Sequence, residues 1–327
     1  RTEDAVRDGD HIYAVIRGIG LPNDLGGSLL APASEGQLRA MRSAYRQAGW
    51  EPSDVDMIEC HATGTPVGDV VEFSSLKSLW GDDDWQPGQC VIGSVKSNIG
   101  HLLTAAGSAA LIKTLLALKE RTLPPTANFA SPAKGVELDS SPFRVLQQAK
   151  PWKPRKQGQP RRAAVSAFGF GGINAHLLVE DWIPQKPVKS SVTYLPSSKK
   201  KVAPVAIVGM GAHFGPWDSV AALRSRLLGG EAEMTAQTPT HWWGAEQSRW
   251  FRERNLHNTG FKGFFVPEVD VAPGAFRIPP KEVEEMLPRQ LLMLKVADEA
   301  LQDARLQQED LLFTGVYIGA GLDLNAT

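Results

Sequence analysis

The stretch Glu59-Cys60-His61-Ala62-Thr63-Gly64-Thr65-Pro66-Val67-Gly68-Asp69 decides how the chain reads. It closes a short apolar strand pattern, Val55 to Cys60, and opens a helical one, Asp69 to Trp80, with Asp69 and Glu72 spaced as a cap and its partner. A histidine at the end of a strand stands where α/β sheets hold their ligands. The arrangement returns downstream. A strand pattern from Cys90 to Val95 leads through Lys96-Ser97-Asn98-Ile99-Gly100-His101 into a long apolar helix that starts near His101. One histidine at such a junction reads as a satisfied cap or core residue. Two, with Lys96 shortly before the second, point to one shared site.

Outward from this pair, strands and helices keep alternating, the mark of a layered α/β fold. His11 to Gly18 is a strand pattern. Ser34 to Gly49 is an amphipathic helix with Ser34 and Gln37 in capping-box spacing and Gly49 as its stop. The small residues Thr104 to Ala110 predict a central helix approached closely by another backbone. Arg162 to Ser166 and Ala175 to Val179 are strands flanking Gly169-Phe170-Gly171-Gly172, read equally as a tight turn or as a loop that presents a backbone N–H beside a mobile aromatic ring. Later come a strand at Val205 to Gly209, helices at Ser219 to Leu228 and Lys281 to Ala304, and a strand at Gly315 to Gly319.

Composition narrows the classes. At 327 residues the chain predicts about two domains at ~150 residues each. Lys plus Arg number 35 and Asp plus Glu 36, so a net charge of -1 gives no sign of a nucleic-acid or anionic-membrane partner. The longest apolar stretch, Leu102 to Leu118, falls short of a bilayer span and contains Lys113. Cys60 and Cys90 are too few for a disulfide framework and fit a reducing, cytoplasmic setting. Cys60 adjoins His61, but strand neighbours point to opposite faces, so it reads as a buried, inert thiol. No ligand spacing for zinc exists, and no metal is expected. A Pro-, Ser- and Lys-rich stretch, 183–202, reads as a linker between a first segment, 1–182, and a second, 203–327. Gly209, Gly211 and Gly215 invite a dinucleotide-binding reading, and so a nicotinamide-dependent oxidoreductase. Their spacing is one residue off, and Pro216-Trp217 stands where the helix should open.

Taken in order, His61-Ala62-Thr63-Gly64-Thr65, Lys96 to His101, Leu123-Pro124-Pro125-Thr126 and Gly169-Phe170-Gly171-Gly172 with Asn174 resemble the C-terminal half of a β-ketoacyl synthase. The resemblance implies a thiolase-like α/β fold, layered α-β-α-β-α, and a decarboxylative condensation of malonyl and acyl thioesters carried on the phosphopantetheine of acyl carrier protein. No tightly bound cofactor is implied. By the same resemblance His61 and His101 donate hydrogen bonds to the enolate. Lys96 supports them, paired with Asp69 and Glu72. Thr63 and Thr65 hold the phosphopantetheine arm, and Phe170, with Gly169, Gly171 and Gly172, gates the acyl pocket and completes an oxyanion hole.

Two departures stand out: Ala62 replaces a glycine and Ile173 a threonine. The nucleophilic cysteine of the family is expected upstream of Arg1. The second segment, through Val205 to Gly211, Phe276 to Pro280, Leu287-Pro288-Arg289-Gln290 and Gly315 to Gly319, resembles the N-terminal part of another ketosynthase-like domain of chain-length-factor type. That order is similar to polyunsaturated fatty acid synthases and iterative polyketide synthases, which implies two partial domains and, in the parent protein, ketosynthase/chain-length-factor pairing or a homodimer. A docking or chain-measuring scaffold without catalysis is the alternative.

Overall fold

The computed structural model describes residues 1–24, 32–82, 85–169, 172–184, 204–229, 236–237, 249–253, 263–266, 269, 271–272, 276, 278–306 and 314–319. These divide into two compact units, Arg1–Gly209 and Met210–Thr327.

In the first unit the elements run α1 (Thr2–Asp8), β1 (Ala14–Gly20), α2 (Ser34–Ala48), β2 (Met57–Glu59), α3 (Pro66–Trp80), β3 (Cys90–Gly93), α4 (Lys96–Ile99), α5 (Ala106–Lys119), β4 (Thr122–Leu123), β5 (Phe143–Arg144), β6 (Lys150–Pro151), β7 (Arg162–Gly169), β8 (Ile173–Glu180) and β9 (Val205–Ile207). Seven strands form one mixed sheet in the order β5-β3-β2-β7-β8-β1-β9, while β4 and β6 pair separately. The strands β5, β3, β2 and β7 are parallel neighbours, and β7, β8, β1 and β9 are antiparallel ones. The core gathers Met41, Tyr45, Ile58, Phe73, Leu76, Trp80, Phe143, Ala164 and Leu178 against this sheet.

Local chemistry fixes the helix ends, in places not as the spacing predicts. The helix α2 ends at Gly49, whose φ of 68° lets its N–H reach the Tyr45 carbonyl. Its predicted capping box does not form. Ser34 Oγ and Gln37 Oε1 each lie 2.8 Å from Ser75 Oγ of α3, so both side chains serve a buried contact between helices. The helix α3 begins at Pro66, not Asp69, because Thr65 Oγ1 accepts the Gly68 N–H and proline suits the first helical position.

The long helix expected from His101 is broken. One turn, α4, stops at Gly100 with φ 79°, Leu103 takes φ 49°, and the regular helix α5 starts at Ala106. Close backbone approach also lies elsewhere than predicted. A Cβ on Gly107 would meet only the Ala167 Cβ at 3.7 Å, whereas one on Gly20 would stand 1.8 Å from the Ala40 carbonyl oxygen and one on Gly18 2.2 Å from that of Ala44. The strand β1 therefore presses its glycines onto the alanine stripe of α2.

The second unit contains α6 (Val220–Leu227), α7 (Arg249–Glu253), α8 (Pro280–Glu285) and α9 (Pro288–Ala304). Ser219 caps α6 by accepting the Ala222 N–H. The predicted helix Lys281 to Ala304 is two helices, since Pro288 opens a new one and Leu287 before it is extended. Gly315 to Gly319 joins no strand ladder among the described residues. Most of the proposed linker, 185–202, lies outside the described residues. The dinucleotide reading is corrected here. No helix follows the Gly209 turn before α6, and a Cβ on Gly211 would lie 2.2 Å from the Val296 carbonyl oxygen. That glycine admits the backbone of α9, not a pyrophosphate. No helix among the described residues is long and apolar enough to cross a membrane.

Candidate functional site

Two parallel strands, β2 and β3, deliver the predicted histidines to one end of the sheet. His61 lies just beyond β2 and His101 beyond β3 and α4, with ring centroids 5.6 Å apart and planes at 83°. The His61 ring also rests on Phe168 of β7, at 5.8 Å. His101 Nδ1 accepts the Leu103 N–H at 3.0 Å, which places the ring proton on Nε2 and leaves that N–H as a donor. His61 Nδ1 is buried without a hydrogen-bond partner among the described residues, the kind of polar atom a site reserves for a ligand.

Electrostatics keep both rings neutral. Burial first, then the fields of Lys96 and His101, push the His61 pKa down to about 3. Burial and Lys96 lower that of His101 as well. The pair can donate N–H bonds at neutral pH without acting as cations.

The carboxylates behave differently from the expected lysine partners. The two oxygens of Glu72 accept the backbone N–H groups of His61 and Ala62, both at 2.8 Å. Asp69 Oδ1 accepts the Gly64 N–H at 3.1 Å. Neither makes an ion pair with Lys96 among the described residues. Their N–H bonds commit them to the turn; burial lowers the Lys96 pKa, and the charges of Glu59 and then Glu72 oppose that across space. Burial pushes Glu72 up to about 7 against the pull of its two N–H bonds. The Glu72 carboxylate therefore acts as a clamp on the histidine turn. That turn is tight, with Ala62 at φ 22°.

Thr63 Oγ1 and Thr65 Oγ1 face each other at 3.1 Å on the outer side of the turn. Thr65 is already committed as the cap of α3. At the glycine-rich turn, Gly169 ends β7 and Gly172 takes φ 76°, with the Asp24 Cβ 2.7 Å from where its own Cβ would be. Asn174 Nδ2 donates to Asp24 Oδ1 at 2.7 Å and to the Gly172 carbonyl at 3.0 Å. Phe170 and Gly171 lie outside the described residues. Cys60 and Cys90 are buried, and burial raises both thiols well above their ordinary range.

Sequence reasoning passed over two charged side chains behind the histidines. Glu59 and Lys113 are fully buried, and Lys113 Nζ lies 2.7 Å from Glu59 Oε2. A lysine in the middle of an Ala- and Leu-rich helix, and a glutamate two residues before the first histidine, were the available signals. A cavity of about 310 Å³ opens beside this region, between Lys96, Glu72, Phe73 and the loop at Asn128 to Pro132.

The chain has relatives among known proteins. Residues 13–130 match the model for "Beta-ketoacyl synthase, C-terminal domain", and residues 202–327 match "Beta-ketoacyl synthase, N-terminal domain". The chain is 34% identical over 329 aligned residues to a polyunsaturated fatty acid synthase polypeptide of Thraustochytrium, covering 99% of this chain and 15% of that protein. It is 41% identical over 187 residues to the polyketide synthase PksL of Bacillus subtilis, covering 57% of this chain and 4% of that one. Among solved structures, the ketosynthase from module 6 of the bacillaene synthase of Bacillus subtilis superimposes with a TM-score of 0.54 at 40% identity, over 57% of this chain and 34% of its own. The α/β architecture is therefore of the thiolase-like kind, and the chain spans a small part of the synthases it resembles. With matches of one family along most of its length, the C-terminal domain's sequence running ahead of the N-terminal one, the chain belongs to the β-ketoacyl synthase family.

Proposed function

We propose that the first unit supplies the decarboxylating half of a condensing site in a multidomain fatty acid or polyketide synthase. The observation that carries this reading is the neutral His61–His101 pair, two rings edge to face at 5.6 Å with the His101 Nε2–H free to donate. When a malonyl thioester loses CO2, the electrons of the breaking C–C bond move onto the thioester oxygen. Two fixed N–H donors aimed at that oxygen stabilise the enolate as it forms. The carbanion then attacks an acyl thioester and expels its thiolate. Neither Cys60 nor Cys90 suits the role of acyl carrier, being buried and held as thiols. The nucleophile therefore comes from sequence outside these residues.

On this reading the exposed Thr63 hydroxyl meets the phosphopantetheine arm delivered by an acyl carrier protein, and the segment around Phe170 gates the acyl pocket. Burial keeps both rings neutral, and the positive field of Lys96 adds to it. The second unit is read as the start of a ketosynthase-like, chain-length-factor-type domain. The likeness to the Thraustochytrium polyunsaturated fatty acid synthase, which runs through both segments, supports that tandem order. In the parent synthase, His61→Ala and His101→Ala should each abolish CO2 release from malonyl carrier protein. Undiminished release from either variant contradicts the assignment.

A further inference from the structure

We propose that Glu59, through its ion pair with Lys113, is the positioning residue that holds His61 and His101 in register; the inference rests on the reading of those histidines given above. The need for such a device lies in the backbone. His61 follows β2 directly, but His101 sits in a stretch between Ser94 and Ala106 that holds only the single turn α4, a 3-10 turn, and two left-handed residues, Gly100 and Leu103. No continuous helix fixes that stretch against β2.

Glu59 is attached to both of its ends. At the start, the Val95 N–H donates to Glu59 Oε1. Past the end, Lys113 of α5 places its Nζ 2.7 Å from Glu59 Oε2. Both side chains are buried, with 0% and 2% exposure, so water does not compete for either. The same residue is two positions from His61, and the Cys60 N–H between them donates to the Gly93 carbonyl of β3 at 2.8 Å. One carboxylate thus ties the strand that carries one histidine to the two flanks of the segment that carries the other. A buried pair of this kind is weak evidence of stability, since apolar side chains of like size often serve the fold as well. What apolar side chains cannot do is hold Val95 by a hydrogen bond and α5 by a charge.

The test uses that distinction. In the 327-residue chain with isotope-labelled histidines, the nuclear Overhauser effect between the His61 and His101 rings, together with the pH at which His61 titrates, reports their register. Glu59→Leu/Lys113→Met removes both charges of the pair and leaves Lys96 facing the charge of Glu72, and it should remove the ring-to-ring effect and raise the His61 titration. Glu59→Gln/Lys113→Met keeps an acceptor for Val95 and should restore part of it. In the parent synthase the same variants should lose about 10- to 100-fold in decarboxylation kcat, with KM for malonyl carrier protein changed by less than about twofold. An unchanged ring-to-ring effect in folded Glu59→Leu/Lys113→Met overturns the proposal. Should that variant not fold, the same unchanged effect in Glu59→Gln/Lys113→Met, which loses the α5 tie, overturns it equally. Loss of register with undiminished CO2 release leaves the positioning role standing and refutes the decarboxylase reading instead.

Discussion

At the scale of single residues, the clamp formed by Glu72 is the most exacting contact. Both its oxygens are used by main-chain donors, so an amide in its place turns an NH2 toward one of them. Glu72→Gln should cost about 1–3 kcal/mol, the penalty of a buried donor left without an acceptor, read from urea unfolding. In a Lys96→Met background the cost should change by no more than about 0.5 kcal/mol, the size of a through-space effect without a direct contact. A coupling well above that would restore the ion pair that the family resemblance implies. The histidines make a second prediction. A lowered pKa keeps an imidazole neutral down to that lower value, and His61 sits at about 3 with His101 also below its ordinary range. Decarboxylation should therefore show no step at the ordinary histidine midpoint of about 6.5, and a step at about 7 belongs to the Glu72 clamp, which Glu72→Gln should remove. A pH–rate profile of the parent synthase checks this. The meeting of His61 and His101 was legible in the sequence because the strand, turn and helix pattern occurs twice. The Glu59–Lys113 pair was not, since the two lie far apart in sequence and a buried charge looks like any other charge until its neighbours are known.

Elements show what close packing demands. The strand β1 can lie against α2 only without side chains at Gly18 and Gly20, where the carbonyl oxygens of Ala44 and Ala40 already stand. Gly20→Ala should destabilise the chain by about 1–3 kcal/mol or more through forced displacement of backbone. Gly107→Ala has room beside Ala167 and should instead stabilise it by about 0.5–1 kcal/mol, the helical preference for alanine. Thermal melts of the two variants should move in opposite directions. The helices themselves could be read from apolar spacing, as α2 and α6 show. Their ends could not, because Ser34 and Gln37 answer to Ser75 on another helix, and because the break before α5 depends on left-handed turns at Gly100 and Leu103 that no periodicity records.

At the scale of the whole molecule, the last strand of the first unit comes from beyond the proposed linker. Val205 to Ile207 pairs antiparallel with β1, and Ala206 and Val208 pack against Ala5, Ile12 and Val15. Alternating layers were legible in the sequence, but three apolar residues do not say which strand they will join. A chain ending at Gly209 should melt higher than one ending at Lys201, by about 2 kcal/mol in stability from the apolar surface that β9 covers. The shorter chain should also aggregate more readily through the uncovered edge of β1, which light scattering would show. Equal melting of the two would remove β9 from the sheet. The match to the N-terminal domain begins at residue 202, yet the compact unit closes at Gly209. Genetic shuffling of such synthases at the obvious seam, the basic spacer, would carry one protein's edge strand into another's sheet. Hybrids joined just after Gly209 keep the seven-stranded sheet of the first unit with its own edge strand, and should melt higher than hybrids joined within the spacer.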